Sequence, residues 1–192
     1  MCQVLKNDIF LNDLKKALEN VSDSYMFYNQ KDISDNESTK IEERIFAYEL
    51  YHQFRKIMDD NNEYSSLYMS GEQVKHCNLF QGEPLNGKNR IIPDMVLHEK
   101  IAENNGKQVF YIEIKMFNNK ALLEDLYKLT ELKKENKLHF KYYVFIVVGM
   151  NKCELYNKIN RRRNRTHIDG DIICFCFKDR KVDMFPIKDM KK

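Results

Sequence analysis

The run "YYVFIVVG" over residues 142–149 constrains this chain more than any other segment. A strand that is apolar at every position reads as the buried centre of a sheet, with other elements covering it. Those covering elements are legible on either side. Ile9, Leu11, Leu14, Leu18 and Val21 recur at helical spacing, which predicts a first helix over 8–21. The polar stretch 22–40 is expected as a loop. A second helix is expected over about 40–58, where Thr39 caps and Glu42, three residues on, reaches back in a capping box.

Strands are expected over 65–76, 91–98 and 108–117. The last two are joined through "EKIAENNGK", whose Asn-Gly pair signals the turn of an antiparallel hairpin. A helix at about 120–135 leads into the apolar run, and "DIICFCF" and "VDMFPI" supply two more strands. This order predicts an α/β sandwich around a mixed sheet, and 192 residues suit one domain. No internal repeat is visible.

Composition narrows the class. Hydrophobic residues at 43% and charged residues at 32%, with few Gly and Pro, exclude a disordered or fibrous chain. No apolar run approaches the roughly 20 residues needed to cross a bilayer, and the first 21 residues contain acidic groups foreign to a signal peptide. A cytoplasmic protein without membrane contact is expected, and five scattered cysteines suit reduced thiols. Residues 1–64 carry 8 Lys and Arg against 13 Asp and Glu, whereas the remainder carries 24 against 16. That asymmetry directs a polyanionic partner toward the later two thirds.

The chemistry concentrates in "VFYIEIKMF". Strand alternation puts Val109, Tyr111, Glu113 and Lys115 on one face, and Phe110, Ile112, Ile114 and Met116 on the other. A carboxylate and an ammonium two residues apart beside a core require a face that is either solvated or a functional pocket. Asp94, in "IIPDMVLH", falls opposite Glu113 if the hairpin pairs them, and His98 then falls opposite Val109, near enough to the motif for a proton-shuttle role. Two adjacent carboxylates repel unless a hard divalent cation lies between them, and Mg²⁺ favours such oxygen ligands. Lys115 on the same face suits the positioning of an attacking water or the stabilisation of a phosphate. The combination suits phosphodiester hydrolysis.

On the second helix, Phe46, Ala47, Leu50, Phe54, Ile57 and Met58 define the apolar face. Glu43, one heptad before Leu50, lies near its middle, with Glu42 and Glu49 off to the side. An inward acid in a first helical turn needs a cation or a backbone donor, so Glu43 is the candidate auxiliary acid.

With "PDMVLH", "YIEIK" and the upstream "EERIFAYELYHQFRK" helix in view, the chain resembles the PD-(D/E)xK nuclease superfamily, specifically its small stand-alone bacterial members. The resemblance covers roughly residues 39–149 and leaves 150–192 as C-terminal strands and a basic loop. It implies a restriction-endonuclease-like three-layer sandwich, a central mixed sheet flanked by helices, and Mg²⁺-dependent cleavage of DNA by water, with Mn²⁺ as a substitute ion. Carried onto this chain, it implies metal binding by Asp94 and Glu113, water or phosphate handling by Lys115, assistance from Glu43, and an acidic position at Glu72. Making two cuts in duplex DNA favours a homodimer. A catalytically silent nuclease-fold module for nucleic acid or a protein partner, and a nuclease acting on RNA, are the alternative functions.

Three further features bear on function. "GEPLNGKN" at 82–89 nearly fits a phosphate-binding loop, but Asn89 has no hydroxyl for Mg²⁺ and a strand follows where a helix is needed, so it reads as a loop. Arg161, Arg162, Arg163 and Arg165 form a basic run suited to nucleic-acid phosphates or to a solvated loop. Cys153, Cys174, Cys176 and His167 match no familiar zinc spacing, and buried thiols in an apolar strand are commonplace.

Overall fold

The computed structural model describes residues 7–25, 35–71, 93–99, 106–135, 139–161 and 168–190. Expected features outside them are residues 72–76 of the first strand, with Glu72, the 82–89 loop, the start of the second strand at 91–92, the turn residues 100–105, the run Arg162, Arg163 and Arg165, and His167.

Helix α1 (Ile9–Glu19) starts where Asp8 accepts the Leu11 N–H at 3.2 Å. The same carboxylate takes the Lys141 ammonium at 2.7 Å and the Tyr142 hydroxyl at 2.6 Å, which ties the helix to the sheet. Helix α2 is longer than expected, Asp35–Asp59. It begins upstream of Thr39, which therefore lies within the helix and not at its start. Glu42 is instead the head of a stripe with Phe46, Leu50, Phe54 and Met58, all buried and four residues apart.

Six strands follow: β1 (Leu67–Gly71), β2 (Met95–Glu99), β3 (Gln108–Met116), β4 (Tyr142–Val148), β5 (Ile173–Lys178) and β6 (Lys181–Pro186). They form one sheet in sequence order, antiparallel at β1–β2, β2–β3 and β5–β6 and parallel at β3–β4 and β4–β5. The parallel joins need crossovers, supplied by α3 (Leu122–Glu135) and α4 (Lys152–Arg161). The β5–β6 hairpin turns at Asp179 and Arg180, both at positive φ as a two-residue turn of this hand requires.

Each face of the sheet carries its own core. On one side α1 and α2 pack Leu14, Phe46 and Phe54 against Phe110, Ile112, Ile114 and Phe175. On the other, α3 and α4 pack Leu126, Leu129, Leu155 and Ile159 against Phe145, Val147, Cys174 and Cys176. The strand read from "YYVFIVVG" is buried from Tyr143 through Val148, between the two cores. The protein is thus an α/β fold with a mixed, open sheet and flanking helices. Among the described residues no helix is long and apolar enough to cross a membrane.

Helix α4 has no counterpart in the sequence reading, and of the basic run only Arg161 falls within it. Asn151 accepts the Glu154 N–H at 2.9 Å while Glu154 accepts the Asn151 N–H at 2.8 Å, a reciprocal cap at its start. Leu155 and Ile159, four apart, then bury one face against the sheet. Arg161 accordingly ends a helix.

Candidate active site

The β2–β3 pairing sets the site. Met95 faces Ile112 on the register the sequence predicts, and the Asp94 N–H, one residue before the paired strand begins, donates to the Ile112 carbonyl at 3.1 Å. The register then slips. His98 pairs with Gln108 and Val109 bulges into the core on the α1–α2 side, leaving the row with Glu113 and Lys115. His98 makes its contacts with Ser70, 3.3 Å from its Nε2, and with the Glu99 carbonyl, 2.7 Å from its Nδ1. Four strand positions, about 13 Å, separate it from Asp94, so it has no part in the cluster.

Glu113 and Lys115 project beneath α3 and are 9% and 7% exposed, so their face is neither solvated nor apolar. The Lys115 ammonium lies 2.9 Å from Glu113 Oε1, 3.3 Å from Asp125 Oδ2 and 3.6 Å from Glu43 Oε2. Glu43 gets there from α2 by passing over the end of β3. Its Oε1 accepts the Met116 N–H at 3.2 Å and the Asn119 side-chain amide at 2.6 Å. The backbone donor expected for an inward Glu43 is therefore Met116. Asp94 Oδ2 accepts the Ile114 N–H at 2.6 Å, which aims its carboxylate along β3 toward the same group.

Asp125 and Asn119 were not anticipated. Asp125 lies in the first turn of α3, between Leu122 and Leu129 at i−3 and i+4, so helical spacing alone puts it on the inward face. That geometry also singles out Glu43, and it was legible at Asp125. Asn119 carries no such signal, because its role depends on a turn. Its Oδ1 takes the Ala121 N–H at 2.8 Å at the head of α3 while its amide holds Glu43.

The electrostatics follow from burial. Desolvation first, and then the negative charge of Asp94, push the Glu113 carboxyl up to about 8 against the pull of Lys115. For Lys115 burial disfavours the charge, but Glu113, Asp94 and Glu43 outweigh it and hold the ammonium well above the ordinary lysine range. Burial followed by the charge of Glu43 also raises Glu42. Four carboxylates around one buried ammonium leave negative charge in excess.

Among the described residues no three acidic, histidine or cysteine side chains form a ready metal shell, because three carboxylates are turned onto Lys115. Cys174 and Cys176 are buried thiols of β5, whereas Cys153 is exposed on α4. A cleft of about 560 Å³ along β6, lined by Asn12, Lys15, Lys152 and Asp183 among others, shares no residue with the carboxylate cluster. Compared with models of protein families, with curated proteins and with solved structures, the chain matches none.

Proposed function

We propose that this protein is an Mg²⁺-dependent endonuclease that hydrolyses DNA phosphodiester bonds, with a restriction-endonuclease-like core and its active centre at Asp94, Glu113, Lys115 and Glu43. The observation that carries the reading is the meeting of α2, the start of β2, β3 and α3 at one strand end, with acidic side chains around one buried ammonium. Structural ion pairs do not ordinarily gather an excess of buried carboxylates.

The donor set fits a hard divalent cation in kind. All its donors are carboxylate oxygens, and the repulsion by which Asp94 raises Glu113 is what such an ion relieves. Asp94 and Glu113 would hold it, with Glu113 turning from Lys115. When bound, the ion supplies a lowered pKa to a coordinated water and neutralises charge on the phosphate.

The chain's own residues do the rest. Lys115 stays protonated and presents its ammonium to the phosphate oxygens or to the attacking water. Glu43, held by Met116 and Asn119, keeps a second acceptor fixed beside that ammonium, and Asp125 does the same from α3. The hydrogen bond from the Ile114 N–H fixes the Asp94 carboxylate before substrate arrives. A cytoplasmic location accords with the free thiols of Cys153, Cys174 and Cys176. A homodimer would allow paired cuts in duplex DNA.

Plasmid DNA incubated with the purified protein and MgCl₂ or MnCl₂ is expected to be nicked or linearised. Chelation, Asp94→Ala, Glu113→Ala or Lys115→Ala should each abolish the reaction. Activity retained in all three variants sinks the assignment. Salt-sensitive binding without cleavage under every divalent ion points to a silent binding module, and parallel assays on RNA test the other polymer.

A further inference from the structure

The row that carries the proposed chemistry does not stop at Lys115. Phe117 continues it at period two, and its N–H still donates to the Val148 carbonyl at 2.8 Å, so the β3–β4 ladder runs through it. Glu113 and Lys115 lie under α3, but Phe117 emerges with 44% of its surface exposed. Its position is nevertheless well defined. A Cβ added at Gly149 would fall 2.6 Å from Phe117 Cδ1, so the ring rests directly on that glycine, whose φ of +82° also suits glycine. The Lys158 ammonium donates to the Phe117 carbonyl at 3.1 Å. Met116 and Asn119, which hold Glu43, bracket it in sequence.

Two cationic groups lie close to this residue. Lys120 is exposed three residues on, and Lys158 reaches in from α4. Helix α4 ends at Arg161, one helical turn beyond Lys158. A supported, half-exposed aromatic ring with cations close by matches the way single strands are held, with a base stacked on the ring and the backbone on positive charge. Base faces inside a duplex are already stacked on their neighbours and are closed to such a ring.

We infer that Phe117 is a stacking platform for an unpaired nucleobase next to the scissile phosphate, so that the substrate is a single-stranded or locally opened polynucleotide. The inference deepens the endonuclease reading and rests on it for the position of the scissile bond. Lys120 and Lys158 contribute the backbone contacts, which makes binding salt-sensitive.

The chain contains no tryptophan, so Phe117→Trp introduces a lone indole reporter. It is titrated in EDTA with a short single-stranded oligonucleotide and with a duplex of the same length, then with MgCl₂ on phosphorothioate-linked strands. The single strand is expected to quench the indole emission and the duplex to leave it unchanged. Phe117→Leu keeps an apolar cover on Gly149 but removes the π face, and should weaken single-strand binding about ten-fold. The same change should move duplex binding less than about two-fold, and Phe117→Tyr should retain both affinities. Equal quenching by duplex, or unchanged single-strand affinity in Phe117→Leu, overturns the platform.

The two readings fail separately. Single-strand quenching without cleavage in any divalent ion removes the endonuclease and leaves the platform. Cleavage with identical kcat/KM for wild type and Phe117→Leu on single strands removes the platform and leaves the endonuclease.

Discussion

Replacing Lys115 by methionine is the most informative single perturbation, because it keeps an unbranched side chain of similar length and deletes only the charge that three carboxylates share. In the wild type the ammonium lies within 4 Å of Glu113, Asp125 and Glu43, whose side chains are 12%, 16% and 15% exposed. Removing one partner from a buried ion-pair group costs about 3–5 kcal/mol, because the remaining charges are left without compensation. In a protein of this size each kcal/mol shifts the Tm by roughly 2–4 °C, so a fall of about 6–20 °C is expected at pH 8.

The loss should depend on pH with a definite sign. Burial and then Asp94 already raise the Glu113 carboxyl above its ordinary 4.5, and loss of Lys115 raises it further. A carboxyl raised in the folded state favours folding while protonated, below its unfolded value, and that advantage is lost as pH rises through the folded value. The gap between variant and wild type should therefore be small near pH 5 and widen toward pH 9. MgCl₂ should raise the stability, and so the Tm, of both proteins at high pH, by about 2.7 kcal/mol each at a hundred times the respective Kd, if Asp94 and Glu113 bind the ion. Thermal melts by circular dichroism over pH 5–9, with and without MgCl₂, supply the measurement. A Tm within 2 °C of wild type throughout would refute the buried network.

Glu42→Gln should leave stability unchanged near pH 4 and raise it at pH 7, read from urea midpoints. Its carboxyl, raised by burial and then by Glu43, is costly to ionise in the fold only above the unfolded value. Asp125→Asn keeps the shape of the cluster but removes one charge that holds Lys115, and should lower kcat about ten-fold with KM little changed in a steady-state cleavage assay. Phe175→Ala empties a fully buried position of the core under α1 and α2 and should destabilise by about 3–5 kcal/mol in urea unfolding. Asn151→Ala removes the start signal of α4 and should cost about 1 kcal/mol by the same measurement.

Periodicity alone determined much of the fold. The apolar run ending in Val147 and Val148 could only be a doubly buried strand, and the order of helices and strands already implied a mixed sheet between them. Alternation also set Glu113 and Lys115 side by side, and helical spacing turned Glu43 inward, because both rules act within a few residues of local geometry. What local periods cannot hold was decided by tertiary packing. The bulge at Val109 moved His98 off its expected partner, since pairing between strands depends on both chains at once. Helix α2 extended to Asp35, and packing against the sheet buried Glu42 in the stripe it shares with Phe46.

Asp125 and Asn119 joined the cluster only through the crossover that lays the head of α3 across the end of β3. Helical spacing could turn Asp125 inward but could not say what it would meet. The burial that raises Glu113 likewise exists only once α3 covers the strand, because desolvation is a property of the assembled layers.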